Sequence, residues 1–180
     1  FVFIGCSDKS TDPQPDTPTV PDNNIQNINK EEVPQQSTGG DPRGKYFANS
    51  PIYFHFSSTL TVQDSIVVSR GKYMLKIEGS SSTQGTYSYI FQSIEIEQHI
   101  KLTSSSSTAN IDIKQNINNT TATEEKGSWS VSGNIIQFTP QGSAAYEHDF
   151  TANNRGLYYY SEMMVPLMGN YTRVRIFKKE

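Results

Sequence analysis

Three histidines, His55, His99 and His148, are the side chains of this 180-residue sequence best suited to proton transfer or metal ligation. Imidazole titrates near neutrality and binds transition metals through a neutral nitrogen. His148 lies in the run Tyr146-Glu147-His148-Asp149, which sets one nitrogen ligand between two carboxylates. Successive side chains of a strand leave opposite faces, so Glu147 and Asp149 diverge from His148 unless a bulge intervenes. A zinc site needs three or four converging ligands, and the spacing does not supply them. The histidines are therefore expected at solvated polar strand ends. Glu95 and Glu97 do share a strand face, as a glycosidase pair would. The acid of such a pair needs an apolar cleft, and these two are expected to solvate an outer surface instead. Serine is abundant, but no Gly-x-Ser-x-Gly elbow occurs, and Gly127-Ser128 leads into a strand. The one cysteine, Cys6, forms neither an internal disulfide nor a cysteine-based zinc site. No catalytic residue, metal or cofactor is assigned, and no enzyme is expected.

The segment from Tyr158 to Tyr171, YYYSEMMVPLMGNY, gathers Met163, Met164, Val165, Leu167 and Met168 beside three consecutive tyrosines. Thioethers fill irregular core gaps, so the cluster reads as a core filler or a lid over a barrel mouth. It also reads as a greasy contact for a ligand or partner. Met164 and Met168, one helical turn apart, are in addition a candidate Cu(I) pair.

These side chains need a scaffold, and from Gly44 onward the periodicity is two-fold. Ile52, Phe54 and Phe56 alternate with Tyr53 and His55, Ile94 and Ile96 with Glu95 and Glu97, and Ile111 and Ile113 with Asp112 and Lys114. Val174 and Ile176 alternate with Arg173, Arg175 and Phe177. Turn signals such as Glu78-Gly79, Ser132-Gly133-Asn134, Gln141-Gly142 and Met168-Gly169 separate the runs. Short strands without an amphipathic helix indicate an all-β, antiparallel sandwich or barrel. Ser104 to Ala109 and Asn118 to Lys126 read as exposed loops. Four Gly-x-aromatic triplets, at Gly44, Gly85, Gly127 and Gly169, recur about forty residues apart. The text between them does not repeat, so the triplet reads as a local device. Its glycine lets the chain turn, and its aromatic falls on the same face two residues on. Gly127 to Pro140 reads as a hairpin, with Trp129 and Val131 facing inward across from Ile136 and Phe138.

Composition narrows function further. Net charge is −3, with 18% charged residues, and no basic footprint for nucleic acid appears. Arg173, Arg175, Lys178 and Lys179 read as the soluble face of the last strand. No apolar run is long enough to cross a bilayer as a helix. Residues 7–41 carry Pro13, Pro15, Pro18, Pro21 and Pro34 among Asp, Asn, Gln and Thr. Such text buries too little apolar area to offset its ordering entropy and reads as a disordered tether.

Two resemblances add to this reading. Phe3-Ile4-Gly5-Cys6 is similar to the lipobox of bacterial lipoproteins, in which the peptide is cut before a cysteine that carries lipid. It implies that residues 1–5 are the remnant of a signal peptide. Residues 6–42 would then be the lipidated Cys6 and a linker, and residues 43–180 the folded domain. Asp8 and Asp12 resemble the acidic export signal of Bacteroidota surface lipoproteins. The hairpin GSWSVSGNIIQF resembles one found in lipocalin-like lipoproteins of the same bacteria. That likeness implies a meander closed into a lipocalin-like β-barrel or half-barrel. The resulting expectation is a membrane-anchored protein of the cell envelope, held at the outer membrane by Cys6 and binding a small, partly apolar ligand. Tyr53, Trp129, Tyr158, Tyr160 and Met164 would line or close the cavity. The alternative is an interaction module with a filled core that holds another envelope protein.

Overall fold

The computed structural model describes residues 29–117 and 122–180, the side chains of 49–52 and 66–69 excepted. Cys6 and the other tether residues before Asn29 lie outside the described residues. Nine strands follow a short 3₁₀ turn at Lys30–Glu32: β1 (Gly44–Phe56), β2 (Thr61–Glu78), β3 (Gln84–Thr103), β4 (Thr108–Ile117), β5 (Thr123–Ser132), β6 (Ile135–Pro140), β7 (Tyr146–Ala152), β8 (Gly156–Val165) and β9 (Gly169–Lys179). Every strand pairing is antiparallel. The sheet order β2-β1-β9-β8-β7-β6-β5-β3 returns to β2 through the β2–β3 pairing, so eight strands close a barrel and β4 extends from β3. Closure removes the open edges of the barrel wall, and among the described residues β4, paired only with β3, is the edge strand of the extension.

The lengths of β2 and β3, 18 and 20 residues, exceed what the barrel wall needs. The first half of β3 pairs with β5 from Gln84 to Phe91, and its second half pairs with β4 from Ile94 to Thr103. The partner changes at Ser93, a non-glycine residue with φ 41°, opposite a register shift between Arg70 and Lys72. A bulge of this kind bends and twists a strand. The outer half of the β2–β3 hairpin and β4 thus leave the barrel as an extension. Its apolar side, with Leu60, Ile100 and Leu102, packs on Tyr171 and is joined by Met163, Val165 and Met168 of the β8–β9 hairpin. Met163 and Met168 take the core-filling place. Met164 and Leu167 stay 78% and 107% exposed at the tip of a strand hairpin, not on a helical turn.

The expected hairpin is present. Trp129 pairs with Phe138 and Val131 with Ile136 across β5 and β6. Trp129 is 2% exposed and donates its indole N–H to the Glu78 carbonyl at 2.8 Å. The Gly-x-aromatic device has a steric basis at Gly85 and Gly127. A Cβ added there would lie 1.9 Å from the Glu78 oxygen or 2.1 Å from the Thr139 oxygen. The neighbouring strand comes so close that only glycine fits, and Tyr87 and Trp129 then enter the core two residues on.

Three expectations are corrected. Thr123 to Lys126, read as loop, belong to β5, and Thr108 and Ala109 to β4. Residues 29–41, read as tether, lie as a strap along the outer wall. Gly39 forms a parallel bridge with Thr151, Val33 packs against Tyr158, Tyr160, Val174 and Ile176, and the Tyr160 hydroxyl donates to the Pro34 carbonyl at 3.0 Å. The phase of β9 is the reverse of a face that is soluble through its arginines. Val174 and Ile176 face outward beneath the strap, while Arg175 and Phe177 face into the barrel.

Candidate functional site

The barrel interior is packed mainly with aromatic side chains, among them Tyr46, Tyr73, Tyr87, Trp129, Phe138 and Phe177. An eight-stranded barrel is just wide enough for side chains to fill, yet here a cavity of about 200 Å³ remains. Leu75, Phe138 and Phe177 give it apolar walls, and Tyr89, Tyr146, His148, Tyr159 and Arg175 bring polar atoms. β9 supplies Arg175 and Phe177, β8 supplies Tyr159, and β7 supplies Tyr146 and His148, each at inward positions of its strand. Arg175 and His148 keep partial solvent exposure, so the cavity is not sealed.

The Arg175 guanidinium donates to the Tyr89 hydroxyl at 2.7 Å. It lies 4.6 Å from the Phe177 ring centroid and 4.8 Å from that of Tyr73. Such ring faces attract a cation through their quadrupoles. Among the described residues no carboxylate forms an ion pair with it. Burial works against its charge, but the surrounding tyrosine oxygens outweigh this and its pKa is raised. A cationic guanidinium therefore faces the cavity at any physiological pH.

His148 stacks on Tyr159 with ring centroids 4.5 Å apart and planes at 13°. Burial, reinforced by the Arg175 charge, lowers its pKa to about 4, so it is a neutral imidazole at pH 7. The Tyr159 hydroxyl is buried without a hydrogen-bond partner, and burial raises its pKa well above the ordinary value. It is thus a protonated donor with nothing to donate to. Tyr146 donates to Glu125 at 2.7 Å, and Tyr87 does the same from the other side. The carboxylate that neighbours the cavity wall is thereby held by two phenols.

Two other features stand apart from this cavity. A wider depression of about 510 Å³ runs along the strap, lined by Gln35, Ser37, Ser57 and Glu162 among others. It is open and contains no buried polar group without a partner. The second feature joins the barrel to its extension. His55 is 0% exposed, its Nδ1 lies 2.7 Å from the Asp64 carboxylate, and Lys30 of the strap reaches the other carboxylate oxygen at 3.2 Å. Burial would raise the Asp64 pKa, but the His55 hydrogen bond and the Lys30 charge lower it overall. Gln98 closes the cluster from β3. His55 Nε2 is buried without a partner and lines none of the cavities described here, so the cluster reads as a polar pin.

The expectation of solvated histidines is therefore corrected for His55 and His148, which lie inside, and holds for His99, on the surface between Asp112 and Glu97. Glu147 and Asp149 are exposed on the opposite face from His148, as strand alternation requires. Among the described residues no group of three or more His, Cys, Asp or Glu side chains converges for a metal.

Of the five side chains expected at a cavity, Trp129 and Tyr53 belong to or pack against the interior core, without lining the opening. Tyr158 and Tyr160 face the strap on the outer wall, and Met164 is exposed at the hairpin tip. The structure does not bring these five together. The residues that do converge, Arg175, His148, Tyr159 and Tyr89, are not among the expected ligand contacts. The available signal was the phase of β9: Phe177 is two residues from Arg175, so an inward Phe177 carries the arginine in with it. Compared with protein-family models, curated proteins and solved structures, the chain gives no significant match.

Proposed function

We propose that this protein is a lipid-anchored binding protein of the bacterial cell envelope whose β-barrel takes a small, partly apolar molecule into its interior cavity. The observation that carries the reading is the state of the barrel core. A barrel built only as a scaffold is filled, whereas this one keeps an aromatic-walled opening whose lining includes Tyr159, a tyrosine with a buried hydroxyl that has no partner. Buried polar groups are nearly always hydrogen-bonded, and a small number of polar groups on apolar walls is the usual make-up of a ligand site. The volume sets the scale. About 150 Å³ of apolar cavity admits a benzene, and drug-sized pockets begin near 300 Å³. An opening of about 200 Å³ therefore suits a single ring with a small substituent.

The envelope placement rests on the resemblance of Phe3-Ile4-Gly5-Cys6 to a lipobox. The strap that begins at Asn29 would fix the end of the tether to the outer wall of β8 and β9. Native mass spectrometry of the protein extracted gently from its own host tests the binding reading. A co-purifying molecule with the mass of a small ring compound is the expected result. A chain that carries only a second protein, and binds no small molecule when challenged, would favour the interaction-module alternative.

A further inference from the structure

We propose that the molecule held in the barrel is a monocyclic monocarboxylate, its carboxylate seated on Arg175 and the Tyr159 hydroxyl and its ring among the cavity aromatics. This rests on the binding reading above and names the ligand's chemical class.

The polar side of the cavity is rich in donors. A guanidinium carries five N–H donors in a planar fork, and the described hydrogen bond of Arg175 goes to Tyr89. Tyr73 and Phe177 approach its ring faces, and ring faces leave the in-plane donors unused. The Tyr159 hydroxyl adds a further donor with no acceptor in reach. What satisfies a fork plus a hydroxyl is a group with two oxygens and several lone pairs, and a carboxylate fits the fork bidentately.

Charge restricts the choice to one negative unit. Among the described residues Arg175 is the only cation lining the cavity, because His148, between Tyr159, Tyr146 and the guanidinium, is neutral at pH 7. Glu125, held by Tyr146 and Tyr87, places a carboxylate behind the same wall. A phosphate monoester carries close to two charges at pH 7, and this surrounding does not balance the second. A monoanion matches the single positive charge of Arg175 in the lining. The remaining walls, Phe138, Tyr146, Tyr159 and Phe177, present rings at 4.5 to 6.5 Å from one another or from His148. At these separations the rings already pack on one another, so a ligand ring joins the cluster from the opening and extends it.

The test is calorimetric titration of the full chain at pH 7 with benzoate, benzamide and phenyl phosphate. They share a ring and differ in carrying one charge, none or about two. Benzoate is expected to bind at least tenfold more tightly than either of the others. Arg175→Gln should remove that preference, lowering benzoate affinity tenfold or more with little change for benzamide. Tyr159→Phe, which deletes only the hydroxyl, should weaken benzoate several-fold. If Arg175→Gln does not fold, the wild-type comparison and Tyr159→Phe decide. Equal binding of benzoate and benzamide, or a preference for phenyl phosphate, overturns the carboxylate assignment while leaving the cavity a binding site. Failure of all three to bind overturns the cavity reading, and this proposal with it.

Discussion

Lowering the pH from 7 to 4 should weaken the fold through His148 in particular. Its imidazole has a pKa of about 4 in the barrel against 6.5 in the unfolded chain, because burial disfavours its charge and the groups facing it offer no compensation. Those groups are Tyr159, Tyr146, Phe138 and the Arg175 guanidinium. The folded value lies below the unfolded one, so between pH 6.5 and 4 the unfolded chain binds the extra proton. Stability then rises with pH across that window, is fully present above it, and is lost as pH falls through it. The shift of about 2.5 units corresponds to about 3 kcal/mol at 1.36 kcal/mol per unit, an upper bound because the ring is only part-buried. Urea unfolding at half-unit pH steps from 7.5 to 4 measures the slope, which should approach about 1.4 kcal/mol per pH unit from this residue alone. In His148→Leu the stability is lower at pH 7 through the lost stacking, but this contribution to the slope vanishes. The depressed carboxylates Asp64, Asp41 and Glu124 act with the same sign at lower pH. They are common to both proteins, as are His55 and His99, so the difference between the two curves isolates His148. Parallel curves for wild type and variant between pH 6.5 and 4 would refute the reasoning.

Three other perturbations probe the scaffold. Gly127→Ala places a methyl carbon 2.1 Å from the Thr139 oxygen and should cost at least about 2 kcal/mol by forcing two paired strands apart. Ser128→Ala, at the exposed neighbour, should stay within about 0.5 kcal/mol, and equal unfolding midpoints for the two would show that the close approach is not constraining. Asp64→Asn removes the charge that Lys30 pairs with and should speed hydrogen exchange at Glu32 and Val33 relative to the barrel amides. Unchanged exchange there would mean that the strap is secured without the Lys30–Asp64 pair, by Val33 and its remaining polar contacts. Cys6→Ala should shift the protein from the membrane to the soluble fraction of its host, and a variant that still sediments with membranes would rule out anchoring through this thiol.

The strands and their antiparallel order were legible because most of the barrel has one solvated face. Trp129 and Val131, alternating with exposed serines and facing Ile136 and Phe138 across a Gly133-Asn134 turn, could adopt little else. Legibility ended where the wall is covered on both sides. In Tyr158-Tyr159-Tyr160 all three side chains are buried, the outer two beneath the strap and the middle one in the barrel. An alternation that carries no polarity difference has no readable phase. The same cover inverts β9, where Val174 and Ile176 look like the inner face because the strap has made the outside apolar. Composition could not reveal the strap, since among its described residues Val33 is the large apolar contact and the rest of its attachment is polar: ion pairs at Lys30 and Glu32, backbone pairing at Gly39, and hydrogen bonds at Pro34, Ser37 and Thr38. Ser93, where β3 changes partner, carries no glycine or proline to mark the bend.

The inward arginine is the strongest argument that the barrel is more than a spacer. Replacing a buried charge by a well-packed apolar side chain is often neutral or stabilising, and an arginine two residues before Phe177 is a costly way to fill a core. The cation–π contacts with Tyr73 and Phe177 explain how the charge is tolerated, but not why a guanidinium in the lining of an opening makes a single described hydrogen bond, to Tyr89. A purely structural guanidinium would close its fork on a carboxylate, and Glu125 was available to the same wall. The chain instead spends that carboxylate on two phenols, Tyr87 and Tyr146, which leaves Arg175, Tyr159 and a neutral His148 converging on one small cavity. That division keeps the anion away from the cation and leaves an acceptor to be supplied from outside the chain.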